Sequence, residues 1–219
     1  MKKLITSIVL SSLVLFAYGQ VTELWNFSVK KGNSAAVVDD IKNGIAVSPD
    51  GTKLYLSTRT SGSNQVAVYN PETGARTGYL PALTGFASAY GGDVAVDGNG
   101  AIYASNVIIS GTGALAVAKW ATPASTPTLF ISTTAHGGSN TNRIGYGMDV
   151  FVDENGDGFI LMHANATANL KYWQIENNAP VSQDPATISI SASPTAITDQ
   201  YARLRIVDKN HFWIDGSIT

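Results

Sequence analysis

The feature that most constrains the fold of this 219-residue chain is a motif of two short apolar strands joined by a tight glycine turn. Three copies of the motif span residues 44–57, 93–105 and 149–162. In each copy, a short apolar strand leads into an Asp-Gly or Asn-Gly pair, and a second apolar strand follows. Asp or Asn followed by Gly readily adopts the positive φ angles of a hairpin turn. The motif therefore predicts three β-hairpins.

The hairpins recur at a nearly constant interval. The turn glycines Gly51, Gly100 and Gly156 lie 49 and 56 residues apart, and a weaker fourth copy begins at Arg203. Each full hairpin is followed by a third alternating strand and a candidate fourth strand, at 65–70 and 77–80, 114–120 and 128–131, and 170–175 and 187–190. Four antiparallel strands repeated in this way are typical of β-propeller blades. We expect an all-β propeller of ~50-residue, four-stranded blades; a plain β-sandwich is the alternative.

The propeller ring is expected to be incomplete. The repeats lie near residues 43–80, 93–131, 149–190 and 203–219, which gives three blades and part of a fourth. A candidate strand at residues 23–29 precedes them, and in propellers the N-terminal strand often completes the last blade. An open ring would still leave unpaired strand edges and an uncovered blade face. We therefore expect residues 20–219 to be one propeller domain, truncated at its C-terminal end.

The first 19 residues have the pattern of a secretory signal peptide. Lys2 and Lys3 form a positive start, residues 4–16 are mostly apolar, and Ala17 and Gly19 are small residues before a cleavage point. This apolar run is shorter than the roughly 20 residues that span a bilayer. An uncleaved N-terminal anchor is the alternative. We expect a secreted protein, periplasmic, cell-surface or extracellular, with no transmembrane segment after cleavage of the signal.

The composition excludes several classes of function. With 14 basic and 16 acidic side chains, the formal net charge is −2, so the chain is not suited to bind nucleic acid by neutralising phosphates. The absence of cysteine excludes disulfides, thiolate zinc sites and a cysteine nucleophile. The sequence also lacks a G-x-S-x-G elbow, an H-E-x-x-H pair and a phosphate-binding glycine loop. The enzyme classes that depend on these motifs are not expected.

The repeats resemble those of a group of bacterial propellers. Residues 43–55, NGIAVSPDGTKLY, are similar to an N-G-[LI]-A-[FV]-S-P-D-G-x-x-L-Y pattern, and residues 92–103, GDVAVDGNGAIY, to D-G-[IM]-A-V-D-x-x-G-x-[LI]-Y. These patterns belong to gluconolactonase/strictosidine-synthase-like, NHL and YVTN-type propellers. The resemblance covers the inner half of each blade. It implies the fold and leaves the specific family open.

The resemblance also implies a metal site in the central channel. In gluconolactonase-like propellers, carboxylate and amide side chains before the innermost strands hold one divalent cation, and the matching residues here are Asn43, Asp93 and Asp149. Their oxygens suit calcium or magnesium, which can polarise a lactone carbonyl. The chain departs from that pattern, because Val follows both Asp93 and Asp149, and Arg203 replaces an expected Asp. The alternative is that these side chains cap strand ends.

A second candidate metal site lies in the third hairpin. Asp153, Asn155 and Asp157 occupy positions 1, 3 and 5 of a calcium-loop pattern, with Gly158 at position 6. The glutamate at position 12 is missing, and the flanking segments are strands. A simple hairpin turn explains the same residues. Calcium is thus the candidate cofactor, and the turn is the alternative.

Two glycine-rich loops, residues 83–92 and 132–147, precede the innermost strands of the second and third repeats. Such loops line one mouth of a propeller channel, where a rigid scaffold binds ligands. We predict that Tyr90, His136, Arg143 and Tyr146 bind an unidentified small molecule, glycan or protein there. A solvated loop side chain is the alternative for His136.

Two functions agree with these patterns. The first is a secreted β-propeller that acts as a binding or interaction module. The alternative is a metal-dependent, lactonase-like hydrolase with a divalent cation in its central channel. The hydrolase requires the oxygens of Asn43, Asp93 and Asp149 to converge on one ion, since calcium ligands lie about 2.3–2.6 Å from the metal.

Overall fold

The computed structural model describes residues 44–60, 63–82, 91–109, 111–139, 142–164, 169–190 and 203–215. Within these ranges the chain forms fifteen β-strands and no helix, so the prediction of an all-β protein is confirmed. Consequently, no described segment is a helix long and apolar enough to cross a membrane. The predicted signal peptide and the candidate strand at residues 23–29 lie outside the described residues, as do Asn43 and Tyr90.

The first two sheets each contain four antiparallel strands in chain order. The first consists of β1 (Ile45–Val47), β2 (Leu54–Thr60), β3 (Ser63–Tyr69) and β4 (Arg76–Tyr79). The second consists of β5 (Gly91–Val96), β6 (Ile102–Asn106), β7 (Leu115–Trp120) and β8 (Thr128–Thr133). Both sheets confirm the strand–turn–strand motif and the two strands predicted after it.

The third sheet has the same plan with one short addition, and the fourth repeat forms a hairpin. The third sheet consists of β9 (Ile144–Val152), β10 (Gly158–Ala164), β11 (Asn169–Glu176), β12 (Ala179–Pro180) and β13 (Ala186–Ser189). Both β12 and β13 pair with β11. The fourth unit consists of β14 (Arg203–Asp208) and β15 (His211–Asp215).

A side chain at the end of each innermost strand closes the following turn. Asp97 Oδ1 accepts the backbone N–H groups of Asn99 and Ala101 at 3.0 and 2.9 Å. Asp153 and Asp208 each accept two turn N–H groups in the same way. In the first sheet, Ser48 Oγ accepts the N–H of Lys53 at 2.9 Å. The sequence motif thus marks turns that satisfy their own backbone donors.

The sheets pack face to face in chain order, because alternate residues of a strand point to opposite faces. In β6, Ile102 and Ala104 pack in a cluster with residues of the first sheet, whereas Tyr103 packs in a cluster with residues of the third. In β10, Ile160 and Met162 belong to the cluster shared with the second sheet. Each fully buried side chain of the size of Ile102, Ile160 or Met162 stabilises the fold by about 1.5–3 kcal/mol.

The first strand of each sheet, here called its innermost strand, lies beside the first strand of the next sheet. β1 packs against β5, β5 against β9, and β9 against β14. Between β14 and β1 there is a cleft, bridged by a hydrogen bond from Arg205 Nη2 to the carbonyl oxygen of Ile45 at 3.2 Å. The blade number of a complete ring stays a prediction.

Candidate functional site

The cleft between β14 and β1 has a volume of about 310 Å³. It is lined by Ile45, Ala46 and Val47 of β1, Val96 of β5, Asp149 of β9 and Arg205 of β14. Ile45 and Val47 are 51% and 52% exposed, although both are apolar strand residues. The cleft thus combines an exposed apolar wall with charged groups of opposite sign.

Asp93, a predicted metal ligand, is buried in β5 and binds the backbone of two sheets. Its Oδ1 accepts the N–H of Val94 at 2.9 Å, and its Oδ2 accepts the N–H of Met148 in β9 at 3.1 Å. Arg203 Nη1 lies 3.8 Å from Oδ2. Burial raises the pKa of Asp93 to about 7, while the Met148 N–H and the Arg203 charge lower it. The side chain therefore links the second sheet to the third.

Asp149 repeats this arrangement one sheet further along. Its Oδ1 accepts the N–H of Val150 at 3.0 Å, and its Oδ2 accepts the N–H of Ile206 in β14 at 2.7 Å. Arg205 Nη1 lies 3.7 Å from Oδ1. Burial raises the pKa of Asp149, and the Ile206 N–H opposes that shift. Asp149 thus links the third sheet to the β14–β15 hairpin.

Asp93 and Asp149 therefore share a pattern of contacts in which every carboxylate oxygen accepts a backbone N–H. This arrangement agrees with the alternative in that both side chains serve the backbone, although Asp93 and Asp149 lie within β5 and β9 and not before these strands or at their ends. Among the described residues, no three His, Cys, Asp or Glu side chains are grouped as a metal site would require. Since Asn43 lies outside those residues, the predicted channel metal site stays a prediction.

Arg203 and Arg205 lie two residues apart on the same face of β14, and Arg205 lines the cleft. Arg203 Nη1 donates to the carbonyl oxygen of Tyr146 at 3.0 Å, and Arg205 donates to Ile45. Leu204, between them, is buried and clusters with Leu161 and other residues of the third sheet. The arginine side chains project from the opposite face and remain 42% and 51% exposed.

Sequence reasoning missed the role of these arginines. In the sequence, Arg203 is a departure from an expected Asp, and Arg205 belongs to no recognised motif. The signal that could have found them is the Arg-Leu-Arg alternation in β14. In a strand, this alternation puts two guanidinium groups on one face and an apolar side chain on the other.

His136, a predicted ligand-binding residue, is buried with a relative exposure of 1%. Its Nδ1 accepts the N–H of Gly138 at 2.8 Å, and its Nε2 lies 3.0 Å from the carbonyl oxygen of Gly113. These partners require a neutral ring with its proton on Nε2. The ring thus ties the loop before β9 to the segment before β7. Both ring nitrogens have these partners inside the protein, so neither is exposed to a ligand. Ligand binding by His136 stays a prediction.

Two other predicted mouth residues, Arg143 and Tyr146, lie just before β9 and within it. Tyr146 is a buried residue of β9, and its carbonyl oxygen accepts the hydrogen bond from Arg203. Arg143 is partly exposed and directly precedes β9. The ligand-binding role of Arg143 and Tyr146 stays a prediction.

The Asp153–Asn155–Asp157 segment forms the tight turn between β9 and β10. Asp153 Oδ1 accepts the N–H groups of Asn155 and Asp157 at 2.8 and 3.0 Å. Asp157 Oδ1 accepts the N–H of Asn177 at 2.9 Å. The Asp157 N–H lowers the pKa of Asp153. The turn alternative accounts for these contacts, and calcium binding here stays a prediction.

Solved structures show the same overall fold. A crystal structure of a protein from Bacteroides eggerthii matches with a TM-score of 0.60 and 19% identity, over 80% of this chain and 40% of that one. A protein from Lactobacillus plantarum matches with a TM-score of 0.50 and 14% identity, over 84% of this chain and 51% of that one. This chain thus spans about half or less of the length of these two proteins.

An exo-β-1,3-galactanase from Clostridium thermocellum matches with a TM-score of 0.49 and 16% identity, over 86% of this chain and 44% of that one. A likeness at this level supports no conclusion about activity. No curated protein matches the chain. The Bacteroides eggerthii protein is described as a DUF4623 family protein. Residues 8–217 match the same family, described as a domain of unknown function, and the chain therefore belongs to the DUF4623 family.

Proposed function

We propose that this chain is a secreted β-propeller module that binds a small ligand or a terminal sugar in its central cleft and catalyses no reaction. In this proposal the three sheets are blades and the β14–β15 hairpin is part of a fourth. The side-by-side packing of β1, β5, β9 and β14 supports it. So does the four-strand plan that the sheets share.

The observation that carries the proposal is the use of Asp93 and Asp149. A hydrolase of the lactonase type would need these carboxylates to hold a divalent cation. Here, each one joins two neighbouring innermost strands through backbone N–H groups. Because both carboxylates serve to join strands, their contacts favour the binding module over the metal-dependent enzyme.

The cleft has properties of a ligand site. Its volume of about 310 Å³ lies at the lower end of the range for small-molecule pockets, roughly 300–1,000 Å³. Ile45 and Val47 offer an apolar surface, against which the C–H face of a sugar ring can pack. Arg205 offers hydrogen-bond donors in the opposite wall. A ligand of monosaccharide size fits this combination.

A glycan array probed with the full chain and with two valine variants tests the proposal. Val47→Asp puts a charge on the exposed wall of the cleft, whereas Val181→Asp makes the same change at a 56% exposed position just after β12. We expect the wild-type chain and Val181→Asp to bind the same glycans and Val47→Asp to lose them, with equal melting temperatures. Absence of binding by the wild-type chain to any glycan would exclude a terminal sugar as the ligand, and equal loss in both variants would exclude this cleft as the site.

A hydrolysis assay tests the rival function. We expect no hydrolysis of δ-gluconolactone above the uncatalysed rate in the presence of calcium, and no change in melting temperature on addition of calcium or EDTA. A tightly bound ion raises the melting temperature by mass action, so an EDTA-sensitive midpoint would indicate a metal site. Hydrolysis that EDTA and Asp93→Ala both abolish would overturn the binding-module proposal.

Export can be tested separately. If the N-terminal segment is a cleaved signal, the protein recovered from outside the cytoplasm begins at Gln20. Mass spectrometry of the intact exported protein measures this directly. A product that retains residues 1–19 would contradict cleavage.

A further inference from the structure

We propose that the ligand of the cleft carries a carboxylate group, which Arg205 in the cleft wall binds together with Arg203, two residues earlier on the same face of β14. This inference rests on the proposed binding function and specifies the chemical class of its ligand. It includes acidic sugars and small organic acids, which share the carboxylate.

The first support is the fixed position of the two guanidinium groups. Arg203 is held by the carbonyl oxygen of Tyr146 and Arg205 by that of Ile45, at 3.0 and 3.2 Å. Each guanidinium carries five N–H donors, more than these contacts use. Because both side chains are about half exposed, N–H donors are available to a ligand from solvent. Anchored donors of this kind lose little conformational entropy on binding.

The second support is the incomplete pairing of the arginine charges. The nearest carboxylate oxygens, of Asp93 and Asp149, lie 3.8 and 3.7 Å from the guanidinium nitrogens, which is beyond hydrogen-bond distance. Their lone pairs already receive backbone N–H groups. Neither arginine therefore has a bidentate carboxylate partner among the described residues. A ligand carboxylate would supply this favoured arrangement.

The third support is the position of Arg205 relative to the apolar wall. Arg205 lines the same cleft as Ile45 and Val47 and reaches the backbone of Ile45. A bound molecule can thus place a carboxylate at Arg205 and an apolar ring face on the two β1 side chains. An oxidised sugar carries a carboxylate on a ring that also has an apolar face. It can therefore contact Arg205 and the apolar wall at the same time.

Isothermal titration calorimetry with matched sugars tests the inference. The probes are D-glucuronate and D-galacturonate, their parent hexoses D-glucose and D-galactose, and succinate as an acid without a sugar ring. We expect the uronates to bind at least tenfold more tightly than the hexoses. Succinate binding as tightly as the uronates would assign the site to small organic acids, in which case the carboxylate inference still holds.

Arginine variants complete the test. We expect Arg205→Gln to lower uronate affinity at least tenfold and to change hexose affinity less than twofold, with Arg203→Gln acting in the same direction. Arg205→Lys should have an intermediate effect, since it keeps the charge and loses the planar fork. Arg76→Gln removes the same charge from the outermost strand β4 and should leave every affinity unchanged.

Two results would overturn the inference and leave the binding module standing. One is equal affinity for uronates and hexoses, and the other is uronate affinity unchanged by both glutamine variants. Binding of a neutral glycan on the array without binding of any acidic probe would also contradict the carboxylate inference and leave the binding module standing. If neither the array nor the calorimetry detects a ligand, the proposed function and the inference both fail.

Discussion

Asp93 in β5 accepts the backbone N–H of Met148 in β9 at 3.1 Å, and thereby joins the innermost strands of the second and third sheets. Asp149 forms the equivalent bond with Ile206 in β14 at 2.7 Å. Both carboxylates are buried, so each bond lies where water competes little. The contact between successive sheets is thus partly polar, and removal of either carboxylate should lower the free energy of unfolding.

Replacement of Asp149 should destabilise the protein. Asp149→Ala leaves the N–H of Ile206 without its partner and Arg205 without its nearest counter-charge, which should cost about 2–3 kcal/mol in the free energy of unfolding. Glu154→Ala, at an exposed turn position, should change it by less than about 0.5 kcal/mol. Urea unfolding followed by tryptophan fluorescence measures both. Equal effects of the two variants would contradict the linking role of Asp149.

Stability should fall as the pH rises toward neutrality. The pKa of Asp93 is about 7 in the folded protein, compared with an ordinary value of 3.8. Between these values the unfolded chain has lost a proton that the folded chain keeps, so the free energy of unfolding decreases with pH and levels off above about 7. The slope from one such group is at most about 1.4 kcal/mol per pH unit.

The raised pKa of Asp149 acts in the same direction. Exposed Asp50, with a pKa lowered to about 2, has the opposite sign but acts only in more acidic solution. Urea unfolding of the wild type and of Asp93→Asn at pH 5, 6, 7 and 8 measures the effect. We expect a shallower slope in the variant, and identical slopes would show that Asp93 does not titrate in this interval.

His136 should contribute to stability and not to ligand binding. His136→Ala removes a buried ring and its hydrogen bonds to Gly113 and Gly138, which should cost about 2 kcal/mol or more. His211→Ala, whose ring is exposed beside Asp208, should cost about 1 kcal/mol or less. Under conditions where both variants are folded, binding to the array should be unchanged. If His136→Ala loses binding while His211→Ala keeps it, His136 takes part in ligand binding.

Gly158, at the start of β10, should not tolerate a side chain. A Cβ at this position would overlap the carbonyl oxygen of Phe151 in the neighbouring strand, so the strands would have to separate. We expect Gly158→Ala to lower the free energy of unfolding by about 1–3 kcal/mol. A Cβ at Gly111 would meet no atom within 4 Å, and Gly111→Ala should be nearly neutral. Similar midpoints in urea for the two variants would refute this expectation.

Local features of the fold could be predicted from the sequence, because their chemistry is contained in a few adjacent residues. Asp97, for example, accepts N–H groups of residues two and four positions later, and the order Asp-Gly-Asn-Gly is typical of such a turn. The continuous apolar run of residues 102–104 in β6 is likewise typical of a strand buried on both faces. The hairpins and the strands that follow them were therefore predictable.

The candidate site was less predictable, because its contacts join residues far apart in the chain. The partner of Asp93 is 55 positions away, and the sequence around an aspartate in a short strand is the same whether its carboxylate binds a metal or a backbone N–H. The loop around His136 is polar and glycine-rich, which indicates exposure. The carbonyl of Gly113, 23 residues earlier, instead accepts its ring N–H in the interior.

The bonds between neighbouring innermost strands have a property that bears on how such a chain can evolve. Asp93, Asp149, Arg203 and Arg205 all bind main-chain atoms of the facing strand. Every residue except proline supplies the same amide hydrogen, and every residue supplies the same carbonyl oxygen. The side chains of the facing strand can therefore differ, as those of Met148 and Ile206 do, while the same kind of link between the strands is kept.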